Sequence, residues 1–401
     1  MNILILALSK ISSFNDKGMY ADISRELLKK KNNVFFVHPT ERRNKKKTFL
    51  KKEGNNGFLL AVRTLNIQKT SIIEKGLGTI LITNQFKKAI KKYFKGIRFD
   101  LILYPTPPIT LFGVVKYFKK RDNARTYLML KDIFPQNAVD LGIMKTTGCG
   151  RVIYKYFRKQ EKKLYAVSDF IGCMSPANVE YVLKHNPEIS EQKVGVFPNC
   201  IDIQRIHLTG SEKNEIKKKY GLPLDRKIFI YGGNLGRPQG IPFVINCLKA
   251  ETTNDKAFFV IVGDGTEYGK LDKYSSESHQ SNFKLLKRLP TEEFDKLLAS
   301  SDVGLIFLDY RFTIPNFPSR LLSYLQASLP VLACTDSSTD VGNAIVDANI
   351  GWHCLSNDVE SFKSVVEHIC TSNCPDPAKV FEYALNNFDT KKCVDKLLLP
   401  K

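Results

Sequence analysis

The sequence predicts an α/β protein built from two doubly wound, Rossmann-like domains. Short apolar runs alternate with segments of helical periodicity along most of the 401 residues, and this alternation is typical of parallel sheets with helices on both faces. The chain is longer than those that usually fold around one hydrophobic core. Its charge balance also changes near residue 200, so we expect one domain on each side of that point.

The first 200 residues contain apolar runs of the length expected for strands, separated by helical segments. Gly18 opens one helix, and a later helix has an apolar face at helical spacing. Residues 40–80 show no clear period, and we assign no element there. The later helical face consists of Ile153, Tyr156, Phe157, Gln160, Leu164 and Val167. We expect strands at 2–8, 34–37, 101–104, 126–130, 170–174 and 193–197.

The alternation continues to residue 375, with helices expected from Gly240, Thr291 and Pro318. The tail has helical apolar positions but no partner strand. The expected strands of this part are 228–231, 257–262, 283–286, 303–308 and 331–334. The predicted domains are therefore 1–200 and 201–375, followed by a C-terminal helix, 376–401, that packs back toward the first domain.

The net charge of +21 comes entirely from the first half of the chain. Residues 1–200 contain 37 Lys and Arg against 15 Asp and Glu, whereas the remaining residues contain 24 against 25. Such a field attracts an anionic surface or polymer; a solvated lysine-rich surface is the alternative. Zinc-finger spacing and an RNP signature are absent from the sequence, so we expect no nucleic-acid partner. The basic clusters lie at 41–52, 87–96, 116–121 and 154–163.

Composition excludes several other classes of protein. The sequence contains no apolar run of about 18 residues, which a transmembrane helix requires. The N-terminal MNILILALSK predicts a first strand and not a signal peptide. Nine scattered cysteines, an odd number, indicate a reducing compartment. We therefore expect a cytoplasmic location.

The stretch IFIYGGNLGRPQG at 228–240 is the most informative motif. An apolar strand leads into a tight turn at Gly232 and Gly233, and a helix starts at Gly240. Backbone N–H groups at a helix start can bind a phosphate, and an arginine can pair with it. The spacing fits neither GxGxxG nor a P-loop. An ordinary turn between a strand and a helix is the alternative.

A second candidate site surrounds Pro318. Proline at a helix start costs no hydrogen bond and leaves free amides facing a ligand. The flanking polar and aromatic residues are Asn316, Phe317, Ser319 and Arg320. A simple helix start is the alternative interpretation.

Four motifs occur in a fixed order along the chain: VFPNCID at 196–202, YGGNLGRPQG at 231–240, VIVGDGTE at 260–267 and NFPSRLLSYLQASLPVLA at 316–333. Each motif is common by itself, whereas four in this order over nearly the whole chain are specific. Together they resemble the motifs of GT-B glycosyltransferases, in particular the large retaining group called family 4. Within that group the chain is most similar to bacterial sugar transferases of capsule and O-antigen synthesis.

The resemblance implies a GT-B architecture, in which two Rossmann-like domains face each other across a cleft. Residues 1–200 then bind the acceptor, and residues 201–375 bind a nucleotide sugar. UDP is the commoner nucleotide in this subgroup. Carried over motif by motif, the implied donor-binding residues are Gly18, Gly233, Asn234, Arg237, Gln239, Arg288, Asn316, Phe317, Ser319, Arg320 and Ser323.

Several positions depart from the family's pattern. Pro315 and Ser323 occupy the places of two glutamates that usually lie near the donor sugar and the ribose. The ribose contact then comes from a single hydroxyl or from elsewhere. Asn234 and Gln239 replace the usual arginine and lysine of the loop, which leaves Arg237 as the candidate for the phosphate charge.

Asp132 is the candidate catalytic residue, because it follows the strand at 126–130 and the family has a histidine or aspartate near this position. The resemblance implies a front-face retaining reaction. The leaving phosphate takes the acceptor proton, and Asp132 orients or polarises the acceptor. Capping of the following turn is the alternative role. Of two glycines common after the first strand, only Gly18 remains.

The resemblance and the charge together predict the acceptor and the location. The acceptor is a saccharide on a polyprenyl diphosphate, and the enzyme associates peripherally with the inner face of the plasma membrane. A basic first domain gains about 1 kcal/mol per basic residue near anionic lipid. The sequence has no Asp-x-Asp, so we expect no metal and no other cofactor.

Two rival functions stay open at this point. A non-catalytic GT-B partner of another glycosyltransferase is compatible with the missing glutamates, and a nucleic-acid-binding protein is compatible with the basic half. A sugar-nucleotide epimerase of the same fold is favoured less, because those enzymes usually keep a histidine and acid set that the sequence lacks.

Overall fold

A computed structural model describes residues 1–67 and 72–398 and divides the chain into two compact units. The first unit contains Met1–Asp202 and the residues from Asp389 onward. The second contains Ile203–Phe388. Each unit is an α/β domain around a mainly parallel sheet, which confirms the predicted fold class.

The described residues form fourteen strands and fifteen α-helices. The strands are β1 (Asn2–Leu6), β2 (Asn33–Glu41), β3 (Phe49–Glu53), β4 (Gly57–Thr64), β5 (Leu101–Thr106), β6 (Arg125–Leu130), β7 (Phe170–Cys173), β8 (Val194–Val196), β9 (Lys227–Asn234), β10 (Ala257–Asp264), β11 (Phe283–Lys287), β12 (Val303–Phe307), β13 (Val331–Thr335) and β14 (Gly351–Leu355). The helices are α1 (Met19–Lys29), α2 (Ile72–Tyr93), α3 (Phe112–Asp122), α4 (Gln136–Asp140), α5 (Gly150–Val167), α6 (Pro176–His185), α7 (Gly210–Lys219), α8 (Ile241–Ala250), α9 (Tyr268–Ser278), α10 (Thr291–Ala299), α11 (Arg320–Gln326), α12 (Val341–Asp347), α13 (Val359–Thr371), α14 (Pro377–Asn387) and α15 (Thr390–Leu398).

The sheet of the first unit has the order β3-β4-β2-β1-β5-β6-β7-β8. All neighbouring strands are parallel except β3, which pairs antiparallel with β4. The chain leaves β1 toward β2 on one side and later reaches β5 on the other side. This reversal makes the carboxyl ends of β1 and β5 a topological switch point, where ligands of such folds bind.

Successive side chains of each strand point to opposite faces of this sheet. One face, which includes Ile3 and Ile5 of β1, packs against α1 and α15. On the other face, Phe35 contacts Phe94 at the end of α2, with ring centroids 5.0 Å apart. On that face α2 packs on α3, and α3 packs on α5.

The sheet of the second unit is entirely parallel and has the order β11-β10-β9-β12-β13-β14. The chain moves outward from β9 through β10 to β11, and then returns to β12 on the other side of β9. The switch point of this unit therefore lies between the carboxyl ends of β9 and β12. Its core includes Phe229, Phe259 and Phe307, one from each of the three central strands.

The C-terminal tail expected at 376–401 contains two helices that belong to different units. Helix α14 packs against α11 of the second unit. Helix α15 packs against α1 of the first unit, where Lys30 pairs with Asp395 at 2.5 Å. Arg125 of β6 also donates a hydrogen bond to the backbone oxygen of Leu397.

Several element boundaries differ from the predicted ones. Strand β2 runs past the expected 34–37 to Glu41, because it pairs with β4 from Val34 to Glu41. Strands β3 and β4 and helix α2 lie in the stretch 40–80 that was left unassigned, and 68–71 of that stretch lie outside the described residues. The predicted apolar face of α5 is exposed at its start, at Ile153 and Tyr156, and buried further along, at Leu164 and Val167.

Within residues 1–67 and 72–398, none of the helices is both long and apolar enough to cross a membrane.

Candidate functional site

The end of β9 lies at the switch point of the second unit. Gly232 is buried, and a Cβ there would overlap the ring of Phe294. Its N–H donates to the hydroxyl of Tyr324 at 3.2 Å, and that hydroxyl donates to the Leu305 oxygen at 2.8 Å. Burial raises the pKa of Tyr324 to about 12, so the hydroxyl stays protonated. The strand continues to Asn234, and the predicted tight turn at Gly232–Gly233 is therefore wrong.

Arg320, the first residue of α11, reaches the same strand end. Its Nη1 donates to the Gly232 oxygen at 3.0 Å, and its guanidinium lies 4.2 Å from the ring centroid of Tyr231. Gly233 has φ +137°, and a Cβ there would lie 3.2 Å from Nη2 of Arg320. Because Gly233 has no side chain, the guanidinium stays open on that side. Among the described residues, no carboxylate forms an ion pair with Arg320.

The loop after β9 is held by one side chain. Gln239 is buried, and its Oε1 accepts hydrogen bonds from Asn234 Nδ2 at 3.1 Å and from the Gly236 N–H at 3.0 Å. Arg237, two residues earlier, is exposed. Gly240 has φ +58° and stands at the start of α8. Gln239 therefore shapes the loop, whereas the charge of Arg237 is exposed to solvent.

The end of β10 supports this loop from the side. A Cβ on Gly263 would overlap the Gly233 oxygen, and one on Gly265 would overlap the backbone of Leu235. The Leu235 N–H donates to the Asp264 oxygen at 2.9 Å. The glycines of the GDG sequence are thus required by close backbone packing, and the exposed Asp264 stands between them.

The segment before α11 is fixed by a short hydrogen-bond chain. Asn316 N–H donates to Thr339 Oγ1 at 3.0 Å, and that hydroxyl donates to Asp336 Oδ2 at 2.9 Å. Burial raises the pKa of Asp336 to about 6. Phe317 is buried and packs on Phe388, so its ring belongs to the core of the unit. Ser319, directly before α11, is exposed.

Two predicted donor residues lie further from Gly233. Ser323 lies about one turn after Arg320 on α11 and is half-buried. Arg288 directly follows β11, which is separated from β9 by β10. Neighbouring strands lie about 4.8 Å apart, so the backbone of Arg288 is about 10 Å away across the sheet. The structure thus brings together Gly233, Asn234, Gln239 and Arg320, and leaves Arg288 at one edge.

In the first unit, Asp132 follows β6 next to the end of β5. Thr106 of β5 receives hydrogen bonds at Oγ1 from the N–H groups of Lys131 and Asp132, at 3.1 and 3.2 Å. Asn137 of α4 donates from Nδ2 to both carboxylate oxygens of Asp132, at 2.8 and 2.6 Å. Burial raises the pKa of Asp132 to about 7, although the Asn137 hydrogen bond opposes this. Gly18, with φ +127°, caps the start of α1.

Sequence reasoning missed three of these supporting residues. Thr106, Asn137 and Lys131 surround Asp132, and Lys131 Nζ donates to the Phe197 and Pro198 oxygens at 3.1 and 3.0 Å. Burial lowers the pKa of Lys131 to about 8. Asn137 follows Asp132 by five residues in KDIFPQN, so the sequence could have indicated their contact. The contact with Thr106 could be found only once β5 and β6 were known to be neighbouring strands.

Across residues 1–67 and 72–398, no group of three or more His, Cys, Asp and Glu side chains is arranged to hold a metal ion.

Comparisons with known proteins agree with this architecture. Residues 212–386 match the family described as glycosyl transferases group 1. WbjE of Pseudomonas aeruginosa, named as a glycosyltransferase, is 23% identical over 302 residues, which are 75% of this chain and 73% of WbjE. WcaI of Escherichia coli strain K12, whose name assigns it to colanic acid biosynthesis, is 22% identical over 267 residues, which are 66% of this chain and 64% of WcaI. The crystal structure of Anabaena Alr3699/HepE in complex with UDP and glucose matches with a TM-score of 0.69 at 12% identity, covering 99% of this chain and 98% of that one.

Two parallel-sheet units together with this structural match define the class of protein: the fold is that of GT-B glycosyltransferases. Residues 212–386, which match the family of glycosyl transferases group 1, span almost all of the second unit. Together with relatives named as glycosyltransferases, this match confirms the predicted enzyme class, a glycosyltransferase of the GT-B fold.

Proposed function

We propose that this enzyme transfers a sugar from a nucleotide diphosphate donor, UDP-linked, to a lipid-linked saccharide during synthesis of a bacterial surface polysaccharide. The name of WcaI, a relative, refers to a colanic acid pathway, and HepE, a structural neighbour, was crystallised with UDP and glucose. The HepE complex supports a nucleotide sugar as donor, and the name of WcaI supports a growing polysaccharide as product.

The observation that carries this proposal is the guanidinium of Arg320 beside Gly233. A departing diphosphate needs positive charge, and an arginine can donate two parallel hydrogen bonds to its oxygens. Arg320 is already held by the Gly232 oxygen and by the ring of Tyr231. Because the Arg320 side chain is already ordered, it loses little conformational entropy when the ligand binds. The exposed Arg237 supplies a second charge.

The proposed reaction retains the configuration at the donor carbon and uses no metal. The bond from the sugar carbon to the diphosphate breaks, and the bond from the acceptor oxygen to the same carbon forms on the same face. The acceptor proton goes to an oxygen of the leaving diphosphate. Asp132, held by Asn137 in the first unit, orients the acceptor hydroxyl.

Replacing Arg320 tests the donor site. We expect Arg320→Met to weaken UDP binding by about 1.5–3 kcal/mol, because a charged hydrogen-bonding partner is lost. Arg320→Lys should recover part of the affinity, since it keeps the charge but not the two parallel donors. Titration calorimetry with UDP measures both.

The matched control is Arg288→Met, at the edge of the same sheet. We expect it to weaken UDP binding less than Arg320→Met. Equal UDP affinity of the wild type and Arg320→Met would contradict the proposal. UDP binding without sugar transfer from any UDP-sugar would favour a non-catalytic partner protein.

The acceptor implies a location at the inner face of the plasma membrane, with the basic first unit on anionic lipid. We expect combined glutamine substitution of Lys45, Lys46, Lys47, Lys87 and Lys88 to reduce sedimentation with anionic liposomes. Each basic residue near the surface contributes about 1 kcal/mol, and the effect should be largest at low salt. Unchanged sedimentation of this variant at low salt would contradict the predicted role of these lysines.

A further inference from the structure

The first half of α5 exposes an apolar stripe. Val152 is 72% exposed, Ile153 54% and Tyr156 41%. Tyr156 follows Val152 by four residues and Ile153 by three, so both residues neighbour it on one side of the helix. Ile143, in the loop that precedes α5, is 62% exposed. The later part of the same helix is buried at Leu164 and Val167, so only its beginning presents apolar side chains to solvent.

The loop with Ile143 is held at the start of the helix. Gly150 opens α5, and a Cβ there would lie 2.7 Å from the backbone oxygen of Lys145. The chain at Lys145 thus approaches the start of the helix, whereas the Ile143 N–H donates to the Ala138 oxygen at 2.8 Å. We call Val152, Ile153 and Tyr156 the apolar stripe of α5.

A basic groove of about 560 Å³ flanks this stripe. Six of its lining residues are lysine or arginine, whereas Glu188 is the only acidic one named among them. Arg158 and Lys162 pair with Glu161 and Glu188. Lys155 and Lys159 are exposed and form no ion pair with any described acidic residue. Both lysines line the groove, and each follows a residue of the stripe, Val152 or Tyr156, by three positions on the helix.

The groove continues a basic layer on one face of the first sheet. Helices α2, α3 and α5 pack side by side and together contain 15 Lys and Arg against three Asp and Glu. Lys87 lies 4.0 Å from the ring centroid of Tyr117 between α2 and α3, and Lys163 lies 5.7 Å from that of Phe112 between α3 and α5. The surplus charge of the chain is thus concentrated on a helical layer that contains the stripe.

We propose that the apolar stripe of α5 inserts into the interface of an anionic membrane while Lys155, Lys159 and the groove bind lipid phosphates. This inference rests on the proposed function and names the surface that contacts the membrane. Apolar and aromatic side chains beside lysines are typical of helices that lie in the lipid interface. A nucleic acid would satisfy the lysines but leave Val152 and Ile153 in water, so a lipid surface fits both parts.

The test compares vesicle binding of three full-length proteins. One is the wild type, one is Val152→Gln/Ile153→Gln/Tyr156→Gln, and one is Leu224→Gln/Tyr310→Gln. The third replaces apolar residues that are comparably exposed in the second unit. Vesicles contain phosphatidylcholine alone or with about one third phosphatidylglycerol. We expect the α5 variant to bind anionic vesicles about tenfold more weakly, and the control to bind like the wild type.

Lysine substitution separates charge from insertion. Lys155→Gln/Lys159→Gln should lose binding at low salt, and the loss should shrink as salt screens the wild type. The α5 apolar variant should lose binding at both salt concentrations, because burial of apolar surface is not screened. Equal binding of the apolar variant and the wild type would overturn the inference, as would equal binding of the wild type to both kinds of vesicle.

A fluorescent probe gives a second readout that does not depend on affinity. All nine cysteines lie in the described residues, and Cys149, directly before α5, is the only exposed one. An environment-sensitive dye on Cys149 should shift to shorter wavelength on anionic vesicles. Binding without any shift would contradict insertion at α5.

The proposed activity is measured separately by UDP titration. An α5 variant with wild-type UDP affinity and wild-type vesicle binding would refute the membrane surface and leave the glycosyltransfer proposal intact. A wild-type protein that inserts into vesicles but does not bind UDP would contradict the proposed glycosyl transfer from a UDP-sugar and leave the membrane surface intact.

Discussion

At the scale of residues, Asp132 shows how neighbours decide the charge of a side chain. Burial favours its neutral form, whereas the two hydrogen bonds from Asn137 favour its carboxylate. Because burial is the larger influence, the pKa rises to about 7. A carboxylate with such a pKa can change its protonation near neutral pH, as groups in active sites often do.

Replacing Asp132 by asparagine should change how stability depends on pH. A raised pKa means that the folded protein holds a proton which the unfolded chain releases between about pH 4 and pH 7. The wild type therefore loses stability as pH rises through this range, and Asp132→Asn does not share this loss. We expect the free energy of unfolding of the variant, relative to the wild type, to increase by about 1–2 kcal/mol between pH 5 and pH 8.

Urea unfolding at both pH values measures this difference. Asp140→Asn removes a carboxylate from the end of α4, the short helix that contains Asn137, and serves as the control. If the free energies of unfolding of Asp132→Asn and the wild type differ by the same amount at both pH values, the predicted rise in the pKa of Asp132 is wrong.

At the scale of elements, the corner at the end of β9 depends on backbone contact with the end of β10. Gly263 pairs with Gly233 in the sheet, and a side chain on Gly263 would overlap the Gly233 oxygen. The position of Gly233 beside Arg320 is therefore set by a residue that does not itself face the guanidinium.

Gly263→Ala should disturb this corner. We expect a loss of about 1–3 kcal/mol in the free energy of unfolding, because the added methyl group has no space. UDP affinity should fall as well, since Gly233 must move. Gly269→Ala, in α9 with open space around it, should be neutral or stabilising by up to about 1 kcal/mol. Calorimetry measures both the free energy of unfolding and the UDP affinity. Unchanged UDP affinity of Gly263→Ala would contradict the prediction that Gly263 sets the position of Gly233 for UDP binding.

Parts of these elements could be predicted from sequence, and parts could not. The central strands of both sheets and the helix after Gly240 follow from apolar runs and spacing. Strand β3 could not be predicted, because its side chains are largely exposed at a sheet edge and show no alternation. The sequence also did not show that Gln239 holds the loop after β9. A glutamine amide can either hold a loop or bind a ligand, and only the structure shows its hydrogen bonds with Asn234 and Gly236. That the Arg320 guanidinium lies open beside Gly233 could be seen only in the tertiary structure.

At the scale of the whole molecule, the chain returns to its first unit at its end. Residues Cys393, Val394 and Leu397 of α15 belong to the core that contains β1 and α1. A parallel bridge joins Ile201 to Asp389, and the Thr390 N–H donates to the Ile201 oxygen at 3.1 Å. The two points at which the chain passes from one unit to the other are therefore neighbours.

Truncating Val394 should loosen the first unit selectively. Its side chain is fully buried, and Val394→Ala should cost about 2 kcal/mol through lost burial and a small cavity. Hydrogen exchange should become faster in β1 and α1 and stay unchanged in β9–β12. Lys391→Ala, on the exposed side of α15, is the control. Faster exchange confined to the second unit would contradict the assignment of α15.

This return of the chain has a consequence for synthesis on the ribosome. Domains usually fold in the order in which they are translated. Here α15, which closes the core of the first unit, is made only after all of Ile203–Phe388 has been translated. The later unit can thus reach its native state while the earlier one still exposes the apolar surface of α1 that α15 covers.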